Sequence, residues 1–176
     1  MKQLFLLCSF LLLTIGNSGF RYTSPDDSVI IVEGYEEINS LDELTKKFRG
    51  KAIYIDLWAT WCGPCRREFQ HKQGLLDFAK DKDLELVYIS ADGPGETEKW
   101  KQFIELNKIA GHHVLANQQL RADLTDRFYR RIKKGRKVLS LPTYIIVNKK
   151  GKVVQRDARR PSDGKRLYKQ LSKALK

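Results

Sequence analysis

The sequence predicts an α/β fold in which a central mixed β-sheet is flanked by helices on both faces. Two patterns carry that prediction. Apolar, β-branched runs alternate with segments of helical period in the order β, α, β, α, β, α, β, α, β, β, α. Alternation of this kind folds into a sheet covered on both sides. The last two strands are joined by the short turn Asn148-Lys149-Lys150-Gly151, which makes one pair antiparallel and the sheet mixed. Length supports a single unit. The chain has 176 residues, 41% of them hydrophobic, enough to bury one core without cross-links. No internal repeat or low-complexity linker divides it.

The elements follow in order. Ser28 to Val32 is a short β-branched strand. Ser40-Leu41-Asp42-Glu43 matches a capping box and opens a helix with Leu41, Leu44 and Phe48 on one face, ending near Gly50. Lys51 to Trp58 is apolar almost throughout, as befits a central strand buried on both faces. A helix then runs from the cysteines to about Lys80. Leu84 to Ser90 is the next strand. Trp100, Phe103 and Ile104 mark a helix from Glu96 to about Ala110, and His113 to Leu115 forms a short strand. Leu120, Leu124 and Phe128 mark another helix. Arg130 to Lys137 has no hydrophobic period and reads as an exposed loop. Thr143 to Val147 and Lys152 to Gln155 form the closing hairpin. Pro161-Ser162 starts a final helix with Leu167, Leu171, Ala174 and Leu175 on one face.

The N-terminus reads as an address. Lys2 is followed by an almost wholly apolar stretch from Leu4 to Ile15, then by Gly16-Asn17-Ser18-Gly19. The stretch is about a dozen residues, against roughly 20 needed to span a bilayer. Residues 1–19 are therefore expected to be a cleaved signal peptide or an N-terminal membrane anchor, with the folded domain over 28–176. Either reading sends the domain out of the cytosol, most simply to a periplasm.

The chemistry centres on Trp61-Cys62-Gly63-Pro64-Cys65. Of three cysteines, Cys8 lies in the address segment, which leaves one pair. A bridge across two residues constrains little, so the pair is there to react rather than to staple. Cys62 falls at a helix N-terminus, where free amides and the dipole favour a thiolate. Gly63 permits a close turn, and Pro64 suits the first helical turn because its missing N–H has no partner there. Cys62 should attack a substrate disulfide, and Cys65, one turn on, should resolve the mixed disulfide. A zinc site would need a second ligand pair. Only His71, His112 and His113 are available, and neither a metal nor another cofactor is expected. Asp56 interrupts the apolar strand six residues before Cys62. It is either a strand-end aspartate on a solvated face or a buried carboxylate whose raised pKa suits a proton acceptor for Cys65. Leu141-Pro142-Thr143 is either simple strand punctuation or a cis peptide that presents the Leu141 backbone to a substrate strand. Trp58 and Trp61 flank the pair, to pack it or to contact substrate.

Three features together resemble the thioredoxin superfamily over roughly 28–176: the segment Asp56 to Cys65, the Leu141-Pro142-Thr143 strand start, and the closing hairpin and helix. The extra strand and helix before Pro142, with the export address, look like its TlpA- and ResA-like thiol–disulfide oxidoreductases. The resemblance implies a thioredoxin-like fold. It implies Cys62 and Cys65 as the redox-active disulfide, Asp56 as the buried acid–base group and Pro142 as the cis-proline. Trp61, Leu141 and Pro142 would meet substrate. A Gly-Pro dipeptide between the cysteines goes with a reducing potential in this family. The chain departs from the pattern at Gln70, where many relatives carry a helix-bending proline. It also lacks, between Leu84 and Ser90, the lysine that pairs with the buried aspartate in thioredoxin proper. A peroxiredoxin would carry threonine where Ala59 stands.

The net charge is +12, with eleven Lys or Arg against two Asp from Lys149 to Lys176. A solvated basic face, an anionic membrane surface or an acidic partner all fit. Nucleic acid does not, because no binding motif is present. The leading expectation is a dithiol reductase acting on protein disulfides outside the cytosol and recharged by a membrane thiol–disulfide reductase. A disulfide-forming oxidase on the same fold, and a basic-surface binding module with incidental cysteines, are the competing readings.

Overall fold

A computed structural model describes residues 28–131, 135 and 137–176. The expected address over residues 1–19 lies outside the described residues. The sheet has six strands: β1 (Val29–Ile31), β2 (Ala52–Trp58), β3 (Leu84–Ser90), β4 (Gly111–Leu115), β7 (Thr143–Val147) and β8 (Val153–Gln155). Their spatial order is β1-β4-β3-β2-β7-β8. The β1–β4, β4–β3 and β3–β2 pairs are parallel, and β2–β7 and β7–β8 antiparallel, so the sheet is mixed.

Among the described residues, six α-helices surround it: α1 (Leu41–Lys46), α2 (Gly63–Glu68), α3 (Lys72–Ala79), α4 (Thr97–Leu106), α5 (Gln118–Phe128) and α6 (Lys165–Ala174). Right-handed crossovers carry α2, α3 and α4 over one face, while the returning connections through α1 and α5 cover the other. The pairing of α1 with α5 is polar. Asp123 accepts from the Leu41 amide at 2.9 Å, and the Arg127 fork grips Asp42 at 2.9 Å. On the opposite face, α3 meets α6 through stacked Phe78 and Tyr168 rings, 4.6 Å between centroids. Gly74 permits that approach, since a Cβ there would lie 2.9 Å from the Tyr168 hydroxyl.

Every residue of β2 and β3 is buried, as strands covered on both faces must be. β2 lies between β3 and β7, so the C-terminal end of β2, where the cysteine turn begins, sits at the middle of the sheet. The α1 cap differs in detail from the expected box. Ser40 Oγ accepts from Glu43 N at 3.2 Å, but the Glu43 carboxylate accepts from Asn39 N, one residue upstream.

Two expectations are corrected. The single helix from the cysteines to about Lys80 is two helices, α2 and α3, joined by a 3₁₀ turn at Phe69–His71. No proline is needed for this break. A straight helix carrying Cys65 and Glu68 on its buried side would bring Lys72 toward that side; the tighter turn re-aims the chain. Lys72 instead donates to the Asn107 and Lys108 carbonyls past the end of α4. Leu75, Leu76 and Ala79 make the buried face of α3. The second correction concerns Arg130 to Lys137. Its ends are strands β5 (Tyr129–Arg131) and β6 (Lys137–Leu139), paired antiparallel with Arg130 opposite Val138. The pairing closes a small ladder beside the main sheet, formed by backbone hydrogen bonds that a search for hydrophobic period cannot register.

Candidate active site

Cys62 is the N-cap of α2 and is joined to Cys65 by a disulfide, with 5.3 Å between Cα atoms. Gly63 is the first helical residue and Pro64 follows it, within the turn where amides lack helical partners. Cys62 Sγ accepts from the Cys65 amide at 3.3 Å. An N–H aimed at this sulfur, together with the helix terminus, favours its anionic form once the bond is reduced. Cys65 is fully buried and Cys62 4% exposed, so what access there is favours the Cys62 sulfur. Trp61 projects outward, 62% exposed, while Trp58 is fully buried. Trp58 therefore packs: its ring meets Phe69 at 5.0 Å and Phe103 at 5.4 Å.

The turn before Cys62 is pinned by a carboxylate that the sequence reading did not single out. Asp92 is fully buried. It accepts from Thr60 N at 2.9 Å, from Thr60 Oγ1 at 2.7 Å and from Ser90 Oγ at 2.5 Å. Arg121 holds the same strand end by donating to the Asp92 and Ala91 carbonyls. The Ala59-Thr60-Trp61 turn is thus fastened to the end of β3.

Asp56 lies in the middle of β2, 1% exposed, so the solvated-face reading is excluded. Its strand neighbours are Tyr88 on β3 and Tyr144 on β7. Tyr54, two residues earlier and on the same face, stacks on Tyr144 at 5.7 Å. The Asp56 Oδ1 atom has no hydrogen-bond partner among the described residues. Burial, and secondarily the nearby Glu68 carboxylate, raise the Asp56 pKa well above the usual carboxylate range. The tyrosine phenols beside it are pushed up for the same reason, first by burial and then by Asp56 itself.

Glu68 is the second carboxylate of the site, and it too was not singled out from sequence. It sits three residues after Cys65, on the same side of α2, and is only 8% exposed. Its carboxylate accepts from Ser162 N at 3.0 Å and Ser162 Oγ at 3.1 Å, with the Arg160 guanidinium 3.7 Å away. The i, i+3 spacing from Cys65 was the available signal; the partners lie 94 residues downstream.

The Leu141–Pro142 peptide is cis. Leu141 and Pro142 face Pro64 across a cavity of about 620 Å³, so the start of β7 and the cysteine helix form opposite walls of one space. A second hollow on the far side of α2 is lined by Gly63, Arg66, Lys72 and Phe103. No cluster of three or more His, Cys, Asp or Glu able to hold a metal occurs among the described residues.

Comparison with known proteins agrees with this geometry. A family model described as Redoxin matches residues 33–171. Thiol-disulfide oxidoreductase ResA of Bacillus thuringiensis subsp. konkukian is 30% identical over 110 residues, covering 62% of this chain and 56% of that protein. ResA of Bacillus subtilis is 27% identical over 107 residues, covering 61% and 52%. The chain thus spans a little over half the length of these curated relatives. Among solved structures, the thioredoxin domain of a thiol-disulfide oxidoreductase from Bacteroides vulgatus superposes with a TM-score of 0.57 at 25% identity, covering 74% of this chain and 84% of that one. A thiol:disulfide interchange protein from Bacteroides sp. gives 0.53 at 27% identity, covering 73% and 76%. The expected α/β architecture is the observed one, and with the family match over residues 33–171 the chain belongs to the Redoxin family, as a ResA-like member of the thioredoxin superfamily.

Proposed function

We propose that this chain is a thiol-disulfide oxidoreductase that reduces disulfides in proteins outside the cytosol. The observation that carries the reading is the Cys62–Cys65 disulfide at the start of α2, whose Pro64 faces the cis-Pro142 strand end across one cavity, with the buried Asp56 carboxylate in the strand that leads into it. In the reduced protein, Cys62 attacks one sulfur of a substrate disulfide. The first substrate thiolate leaves, and a mixed disulfide joins Cys62 to the substrate. Cys65 then gives its proton to Asp56 and attacks Cys62 Sγ. The second substrate thiolate leaves, and the Cys62–Cys65 disulfide re-forms. Two electrons pass to the substrate, which takes up two protons. A carboxylate ordinarily acidic by several units is a poor acceptor near neutrality. Burial brings the pKa of Asp56 toward that of the group it serves.

The exposed Trp61 and the backbone of Leu141 and Pro142 are the substrate-contacting surface in this reading, the latter by strand addition. A membrane thiol–disulfide reductase supplies the electrons that reset the pair. The apolar segment from Leu4 to Ile15 supports export, with cleavage or retention as an anchor. The basic surface is compatible with an anionic membrane nearby. No helix among the described residues is long and apolar enough to cross a membrane.

The test is turnover of insulin disulfides by the purified chain with dithiothreitol as reductant. A reductase accelerates insulin reduction and loses that activity in Cys62→Ser. Cys65→Ser should instead accumulate mixed disulfides, detectable by non-reducing electrophoresis. Oxidation of reduced substrates without insulin reduction would establish the oxidase reading. Unimpaired cellular function of the double serine variant would establish the binding module.

A further inference from the structure

We propose that the cavity between α2 and the cis-Pro142 segment is a specificity subsite for an acidic side chain next to the substrate's disulfide, in a polypeptide that the chain reduces. The inference rests on the oxidoreductase reading and adds the substrate class. The cavity opens beside the cysteine pair, with Pro64 and Arg67 on one wall and Leu141 and Pro142 on the other. A peptide added along the Leu141 backbone would send a neighbouring side chain into it, because strand residues alternate in direction.

The charges of the cavity are unequal in availability. Glu68 is occupied by Ser162 and Arg160, and Asp163 accepts from the Arg160 amide at 3.3 Å. Among the described residues, no ion pair or side-chain hydrogen bond engages the guanidinium groups of Arg67, Arg130 or Arg159, all of which line the space. Asp157 is the remaining acidic group there. The free charge is therefore cationic, and of the kind that grips carboxylates with paired N–H groups.

Tyr144 is the independent observation. It also lines the cavity, is 4% exposed, and its hydroxyl is a buried atom with no hydrogen-bond partner among the described residues. A buried hydroxyl without a partner is uncommon and costs stability. A carboxylate reaching the floor of the cavity supplies the missing acceptor, while the arginines neutralise its charge. Glutamate and aspartate side chains match this combination of depth, charge and acceptor geometry.

The experiment compares two cystine peptides that differ only in a glutamate or glutamine beside one cysteine, using the purified, dithiothreitol-reduced chain. The ratio of their kcat/KM values is the readout. We expect the glutamate peptide to be favoured about tenfold, the scale of one charge-assisted hydrogen bond. The ratio should fall toward one in 0.5 M salt and in the R67Q/R159Q double variant. It does not depend on whether that variant also loses general activity. Equal rates for the two peptides in the unmodified chain would overturn the proposal and leave the oxidoreductase reading standing. Binding is read separately by fluorescence anisotropy of labelled peptides with serine in place of cysteine, added to the oxidised chain. Preferential glutamate binding without turnover of either cystine peptide would keep the subsite and sink the oxidoreductase reading. Anionic lipid vesicles that bind at this face, with no discrimination between the peptides, would overturn the subsite in favour of a membrane contact.

Discussion

Two aspartates lie under the cysteine turn, and they are built in opposite ways. Asp92 and Asp56 are both buried, at 0% and 1% exposure. Asp92 is saturated by Thr60 and Ser90. Asp56 sits among three tyrosine rings and a second carboxylate, with an oxygen that finds no donor. A carboxylate whose oxygens are both taken by fixed donors holds geometry. An unsatisfied one is costly to ionise and so retains its proton to higher pH. The difference assigns Asp92 to positioning the turn and Asp56 to the exchange of protons.

Removing the carboxylate at the two positions should therefore move stability in opposite directions. The largest effect is expected for Asp92→Ala. It strands the Thr60 amide and hydroxyl in the interior and should cost about 3–5 kcal/mol, from ~1–3 kcal/mol for each group left unpaired. Thermal unfolding would register this as a fall of about 10 °C. A fall of under a degree would mean that the network is dispensable.

Next in size is Asp56→Asn, measured as release of a trapped mixed disulfide at neutral pH. Loss of a proton acceptor should slow release by roughly 10²-fold. The same variant should be more stable than the parent, by about 1–2 kcal/mol at neutral to alkaline pH. The sign follows from linkage. The folded-state pKa of Asp56 lies above its unfolded value, so between the two the native state holds the extra proton. Stability from this group is complete below the ordinary carboxylate range and is lost as pH rises through the raised value. The parent and Asp56→Asn should therefore match near pH ~3 and diverge above about 4. Chemical denaturation across pH checks this, and a constant gap would contradict the raised pKa.

The smallest effect belongs to Glu68→Gln. Removing the neighbouring negative charge should lower the Asp56 pKa and move the acidic limb of the mixed-disulfide release profile to lower pH. An unmoved limb would leave burial as the sole cause. This variant keeps a side chain able to accept from Ser162, so a change in the profile is not simply lost packing.

Much of the site was legible because it is local. The burial of β2, the capped turn at Cys62 and the strand start at Pro142 are each set by runs of under ten residues, within reach of periodicity and turn chemistry. Asp56 stood out because a charge in an apolar strand is conspicuous. Glu68 and Asp92 did not stand out, since acidic residues in a helix and in a loop are ordinary. Ser162, which holds Glu68, lies 94 residues away in sequence, and Thr60, which ties Asp92 to the cysteine turn, lies 32 away. Tyr144 looked like any strand aromatic until register placed it opposite Asp56. The break between α2 and α3 was missed for a similar reason. It is dictated by where Glu68, Phe69 and Lys72 find tertiary partners, and no proline or glycine marks it at residues 69–71.

The direction of electron flow is the central claim, and the reduction potential of the Cys62–Cys65 pair tests it most directly. Equilibrating the full chain with defined ratios of reduced and oxidised dithiothreitol, then counting free thiols by alkylation, gives that potential. A reductase should fall near the reducing end of the thioredoxin-like range, about −270 mV. A value near about −120 mV, typical of strong disulfide donors, would contradict it.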